Sequence, residues 1–266
     1  VFVFVTDKDR LWRHFQKDPA LFAYHIGDLD DFFFPHCQWA ASYSTKRHPI
    51  IEEVLLVYNG GSVPTVLAFG LDERYADLVA ETLDILPLRF FCHFQSPCRA
   101  VFRSRYREQS LGTHYKMRLE HLASPPVGVI GAQLIRLNDS HLPQLTELYA
   151  RAYPDNYFTP RMLQTGRYVG LSLDGRLVTV AGVHVVSDQY KIAVLGNIAT
   201  DPGYRGRHLA RQTTFELARE LHDEGKLVCL NVRADNAAAI RCYEQIGFVI
   251  THTYEEALYE LPGPHL

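Results

Sequence analysis

The sequence has little cysteine and no long apolar run. Its five cysteines (Cys37, Cys92, Cys98, Cys229 and Cys242) are an odd number without disulfide-framework spacing, so free thiols in a cytoplasmic protein are expected. His36-Cys37, and Cys92-His93 with Cys98, read as buried residues of apolar strands and not as a metal site. No segment reaches the roughly 18 uninterrupted apolar residues of a membrane span. Val1 to Val5 is apolar, but charges follow at once, so it reads as an opening strand and not a signal peptide. The chain opens on Val1 and not on Met, which implies a trimmed or partial chain. A net charge of −3 lacks the basic footprint of a nucleic-acid-binding surface, and no Gly-x-x-x-x-Gly-Lys-Ser/Thr loop occurs. These absences leave a monomer or homodimer with no metal, nucleic acid or membrane expected as partner.

What is present suffices for two domains: 266 residues, 47% of them hydrophobic. Leu122-Ala123-Ser124-Pro125-Pro126 reads as a linker, dividing the chain into α+β domains over 1–122 and 127–266. In the first, residues 7–34 carry helical patterns, and Asp28, Asp30 and Asp31 read as a solvated turn. A hairpin at Asn59-Gly60-Gly61 follows, then a helix over 72–84 and a strand over Leu88–Phe94. A helix over Pro97–Tyr106 and a strand over His114–Leu119 close this half.

The second domain restarts with a strand at Ala132–Leu137. Asn138 or Asp139 caps a helix near 140–152, and a polar-aromatic loop spans 153–160. Val169–Leu173 and Arg176–Val186 form a hairpin across Asp174-Gly175, and Ile192–Thr200 is a buried strand closed by Asp201-Pro202-Gly203. A helix then places Ala210, Thr214, Leu217, Ala218 and Leu221 on one face, and Gly225 stops it. Leu227–Val232 is the next strand, and two last strands are expected near 249–254 and 257–261.

The turn Arg205-Gly206-Arg207-His208-Leu209-Ala210 stands between a strand and a helix. The first N–H groups of a helix lack internal partners and lie at its positive end, where they suit a phosphate. The turn resembles the Arg/Gln-x-x-Gly-x-Gly/Ala motif of the GNAT superfamily of acyl-CoA-dependent N-acyltransferases. Arg205 fits the first position and Ala210 the last, while His208 replaces the middle glycine. The segment Asp235–Phe248 resembles the second signature of that superfamily, through Asn236, Tyr243 seven positions later, and Gly247-Phe248. Seven residues are about two helical turns, so Asn236 and Tyr243 share a face.

The resemblance implies a GNAT fold for 127–266, with a mostly antiparallel twisted sheet flanked by helices. The first half shows a similar element order without the phosphate turn, as a degenerate copy or a family-specific N-terminal domain would. The implied co-substrate is acetyl-CoA. Its pantetheine arm is expected on the backbone of Ile198, Ala199 and Thr200, and its pyrophosphate on Arg205, Gly206, Arg207, His208, Leu209 and Ala210. Asn236 and Tyr243 are expected to touch it as well. Tyr243 is the candidate acid for the departing thiolate, and Asn197 a candidate to orient a water. Many members carry a Glu on the strand before the turn, and none occurs over Ile192–Thr200, so water, His184 or another loop's acceptor remain as base. The expected reaction is acetyl transfer by direct attack of a primary amine, with a small-molecule or amino-acid-like acceptor. The alternative is an acyl-CoA-binding sensor or scaffold without turnover.

Overall fold

The computed structural model describes residues 2–44, 49–128 and 130–263. The chain forms two compact units. One comprises Val1–Lys116, Arg233–Asp235 and Thr251–Leu266, the other Met117–Val232 and Asn236–Ile250.

The first unit opens with β1 (Val3–Phe4), α1 (Lys8–Phe15) and α2 (Ala23–Gly27). The Asp7 carboxylate accepts the Arg10 N–H at 3.0 Å and so starts α1, which buries Leu11 and Phe15 four residues apart. Three antiparallel strands follow: β2 (Cys37–Tyr43), β3 (Ile51–Tyr58) and β4 (Thr65–Ala68). Then come α3 (Tyr75–Thr82), β5 (Arg89–Phe94), α4 (Cys98–Arg103) and β6 (Arg107–Leu119). β4 and β5 are parallel, and the last strand of the chain, β12 (Phe248–Glu260), pairs antiparallel with β5 from Glu255 to Glu260. Phe90, Phe94, Phe102 and Tyr259 stack within the core beneath α3 and α4.

The second unit repeats this order. β7 (Gln133–Arg136), α5 (Leu142–Ala152) and a 3-10 turn at Pro160–Thr165 precede β8 (Val169–Leu173), β9 (Arg176–Ser187) and β10 (Ile192–Thr200). These strands are antiparallel in sequence order. After α6 (Leu209–Asp223), β11 (Leu227–Arg233) lies parallel to β10, and α7 (Ala237–Glu244) follows. In both units a first strand and a helical segment lead into three antiparallel strands, then a helix, a parallel strand and a helix. The two units thus repeat one element order.

The units differ where the parallel pair ends. β4 stays paired with β5 to its last residue, Ala68 opposite Phe94, and the Gly70 N–H donates to the Gln95 side chain at 2.9 Å. The corresponding pair in the second unit, β10 and β11, parts while both strands still continue.

Four expectations need correction. The strand β2 is absent from the sequence reading because Trp39, Ala40 and Ala41 are all buried, which removes the alternation of a half-exposed strand. The two expected terminal strands are one, since charges at Glu255 and Glu256 do not interrupt it: Glu255 meets Arg99 at 3.0 Å, and Glu256 meets His93 at 3.4 Å and His114 at 3.1 Å. β6 starts seven residues earlier than expected, at Arg107 in place of His114, because Glu108 in its polar opening is held by Arg99. Asp28 is buried and not in a solvated turn, and burial pushes its carboxyl pKa well above the usual range. The division near 122–127 and the observed units also differ at the C terminus, where residues from Thr251 onward belong with the first unit.

Candidate active site

β10 meets β9 through two irregularities. Val194 faces Val185 and Leu195 faces Val183, so His184 is an extra residue of β9. Gly196 faces Gly182 and Ala199 faces Val180, so Asn197 and Ile198 together oppose Ala181. Bulges bend a strand and re-aim its side chains. Asn197 takes φ +53, a left-handed conformation that Asn tolerates better than most residues. The Tyr149 hydroxyl donates to the Asn197 carbonyl at 2.8 Å, and Asn197 Nδ2 donates to the Tyr168 hydroxyl at 2.9 Å. Burial pushes the Tyr168 hydroxyl pKa up, only partly offset by Asn197, so it stays protonated.

The other edge of β10 opens. Its parallel register with β11 runs from Ile192–Leu227 to Leu195–Leu230 and stops there, although β10 continues to Thr200 and β11 to Arg233. Of the expected pantetheine-binding residues, Ala199 is buried and its carbonyl accepts from the Thr179 hydroxyl at 2.9 Å, while Ile198 and Thr200 are half-buried.

Beyond Thr200 the turn is tied down by charge. The Asp201 carboxylate accepts the Gly203 N–H at 3.0 Å and meets Arg176 at 2.9 Å and Arg151 at 3.2 Å. Burial alone raises its pKa, but the Gly203 N–H and the two guanidinium groups outweigh it and hold the carboxyl below its usual range. Arg205 donates to the carbonyls of Thr200, at 3.3 Å, and Ala152, at 3.1 Å, so in this structure it anchors the turn to the ends of β10 and α5. Gly206 has φ +77, and a Cβ there would meet nothing within 4 Å. His208 has φ +60, so this histidine adopts the left-handed conformation for which glycine is usual. No side chain caps α6 at His208, which leaves its first N–H groups for an outside acceptor. Arg207 stacks over the Tyr204 ring, 5.2 Å from its centre, Leu209 is buried against Leu171 and Val178, and Ala210 is half-buried.

The Asn236 side chain accepts the Ala239 N–H at 3.1 Å and so starts α7. Tyr243 is buried at the penultimate position of that helix, with its ring edge-on to Phe248. Burial, with lesser effects of Cys242 and Tyr153, pushes its hydroxyl pKa up, so it holds its proton at neutral pH.

Sequence reasoning missed Arg151, Arg176, Tyr149, Tyr168 and Asn231. Glycines inside apolar strands were an available signal, since they mark close approach. At Gly182 a Cβ would fall inside the Tyr168 ring, and at Gly196 inside the His184 ring.

A parallel pair that parts, a left-handed turn and an uncapped helix N-terminus thus meet at the C-terminal end of β10. The family model of the GNAT acetyltransferases matches residues 134–248. Over 105 residues the chain is 41% identical to the ribosomal protein bS18-alanine N-acetyltransferase of Salmonella typhimurium, covering 38% of this chain and 69% of that protein. Over 87 residues it is 38% identical to N-alpha-acetyltransferase RimI of Mycobacterium tuberculosis, covering 30% and 51%. Two solved structures share the fold over the whole chain. A Drosophila protein has TM-score 0.73 at 15% identity, covering 98% of this chain and 99% of its own. A tandem GNAT protein from the clavulanic acid biosynthesis pathway has TM-score 0.56 at 15% identity, covering 100% of both. The chain belongs to the GNAT acetyltransferase family. It is an acyltransferase whose two units repeat one element order.

Proposed function

We propose that the second unit transfers an acetyl group from acetyl-CoA to a primary α-amine by direct attack. The observation that carries this reading is the parting of β10 from β11 after Leu195, in line with the left-handed turn before α6. The backbone of Ile198–Thr200 presents an unpaired strand edge there, to which an extended amide-containing arm adds as a further strand. The N–H groups from Gly206 to Ala210 suit a pyrophosphate at the positive end of a 15-residue helix. Arg205 holds the turn in shape, with Arg207 adding positive charge beside it. Asn236 fixes the start of α7, the helix that carries Tyr243. When bound, acetyl-CoA supplies the thioester and a thiolate leaving group. Tyr243, kept neutral by burial, is positioned in sequence and protonation state to hand that thiolate its proton.

The acceptor is assigned only as a primary amine of α-amino type. The names of the curated relatives specify an alanine of ribosomal protein bS18 or an N-alpha amine for those proteins. This widens the small-molecule or amino-acid-like expectation to include a polypeptide N-terminus.

The test is titration calorimetry with acetyl-CoA, then thiol release with amino acids, polyamines and peptides bearing N-terminal alanine. Binding with thiol release is expected, and Tyr243→Phe should keep the affinity while turnover falls about 10²–10⁴-fold. Binding without release from any amine would instead support a sensor, and no binding would remove the reading.

A further inference from the structure

The proposed reaction needs a base, and none of the carboxylates of the second unit lies on the three strands that form the opening. β9, β10 and β11 contain no Asp or Glu; their titratable side chains are Arg176, His184, Cys229 and Arg233. A guanidinium has no acceptor to offer as a base, and Cys229 is buried within the closed part of the ladder, opposite Val194. Histidine is the side-chain type among these whose ordinary pKa lies nearest neutral pH, which singles out His184.

Its placement is specific. The bulge in β9 makes His184 the extra residue, and its ring covers Gly196, the last residue before Asn197. Any side chain at Gly196 would displace it. Tyr168 covers Gly182 in the same way, and Gly182 and Gly196 are direct partners, so the two rings lie side by side on one face. Tyr157 meets the His184 ring edge-on at 6.2 Å from the loop after α5. These elements thus bring two phenols to the side of the imidazole, and β10 and β11 bring the neutral amides of Asn197 and Asn231 to the same face.

Those amides are incompletely satisfied. Asn197 is 3% exposed, and among the described residues its Oδ1 has no partner, while Nδ2 donates to Tyr168. Nδ2 of Asn231 is buried and also without a partner. Val194 opposes Cys229, so alternation puts Asn231 on the same face as Gly196, one residue beyond the end of the ladder. Leaving a buried polar atom unpaired costs about 1–3 kcal/mol, and an acceptor and a donor left open at one strand opening mark a place for a polar guest.

We propose that His184 is the general base for the acceptor amine, resting on the acetyl-transfer reading above. An imidazole nitrogen takes a proton from the incoming ammonium, and Asn197 Oδ1 accepts one of the remaining N–H groups. The neutral amine nitrogen then bonds to the thioester carbon as the carbon–sulfur bond breaks. The sulfur takes a proton from Tyr243, the second amine proton leaves to solvent as the amide forms, and solvent restores both side chains.

The experiment compares wild type with His184→Gln and His184→Ala, using acetyl-CoA and the fastest amine of the panel above. Calorimetry with acetyl-CoA first establishes that each variant keeps the cofactor site. At pH 7 kcat/KM is expected to fall about 10²–10⁴-fold, with the deficit shrinking as pH rises towards the amine's own pKa. In His184→Ala the space above Gly196 should admit free imidazole, which is expected to restore activity in proportion to its concentration. Wild-type rates in either variant, or a deficit that neither pH nor imidazole relieves, would overturn the assignment. A wild-type protein that binds acetyl-CoA and acetylates no amine would overturn the parent reading and the base with it.

Discussion

Asp201 shows how one carboxylate sets the geometry of the turn before α6. It receives the Gly203 N–H and two guanidinium groups while itself 5% exposed. Its folded-state pKa lies below the ordinary value, so its contribution is present above the unfolded pKa and is lost as pH falls through the folded one. Asp201→Asn should therefore lower stability by about 2 kcal/mol near pH 7, the scale of hydrogen bonds to charged groups. The difference from wild type should shrink between pH 7 and an acid pH below the folded pKa, where the carboxyl is protonated in both states. Urea denaturation at both pH values checks this, and a pH-independent difference would refute the electrostatic account. The motif residues Arg205 to Ala210, Asn236 and Tyr243 stand out in the sequence because their spacing is short. Arg151, Arg176, Tyr149 and Tyr168 come from distant segments, and nothing in their own neighbourhoods announces the partners that the fold gives them.

At the scale of the element, α6 begins without a side-chain cap and with His208 in a left-handed conformation. The cost of that conformation is small for His and large for β-branched residues. His208→Val should destabilise by about 1–2 kcal/mol and weaken acetyl-CoA binding, while His208→Gly should keep the binding intact. Denaturation midpoints and calorimetry test both, and equal behaviour of the two variants would mean that the turn does not need its left-handed residue. Helix and strand positions in 132–232 followed from periodicity and turn residues, and Val169–Leu173 and Ile192–Thr200 coincide with the expected spans. The failures fell where tertiary partners override local pattern. Paired glutamates let β12 run unbroken, and β2 is covered on both faces. Bulges at His184 and Asn197 were invisible, because a bulge is a relation between two strands and not a property of one.

For the whole molecule, the first unit is assembled from both ends of the chain. Residues 255–260 supply the strand beside β5, and Arg99 of α4 holds Glu255 of that strand. Separate chains of 1–122 and 127–266 should thus co-purify when co-expressed, since the first unit needs both. Tagged 1–122 that fails to retain soluble 127–266 would contradict this. The same arrangement orders events during synthesis. Every residue of the second unit has been made once Ile250 is added, whereas the first unit waits for the last strand to leave the ribosome. The half that begins the protein is thus the half that finishes folding last, and until then its β5 edge stands open to any strand that reaches it.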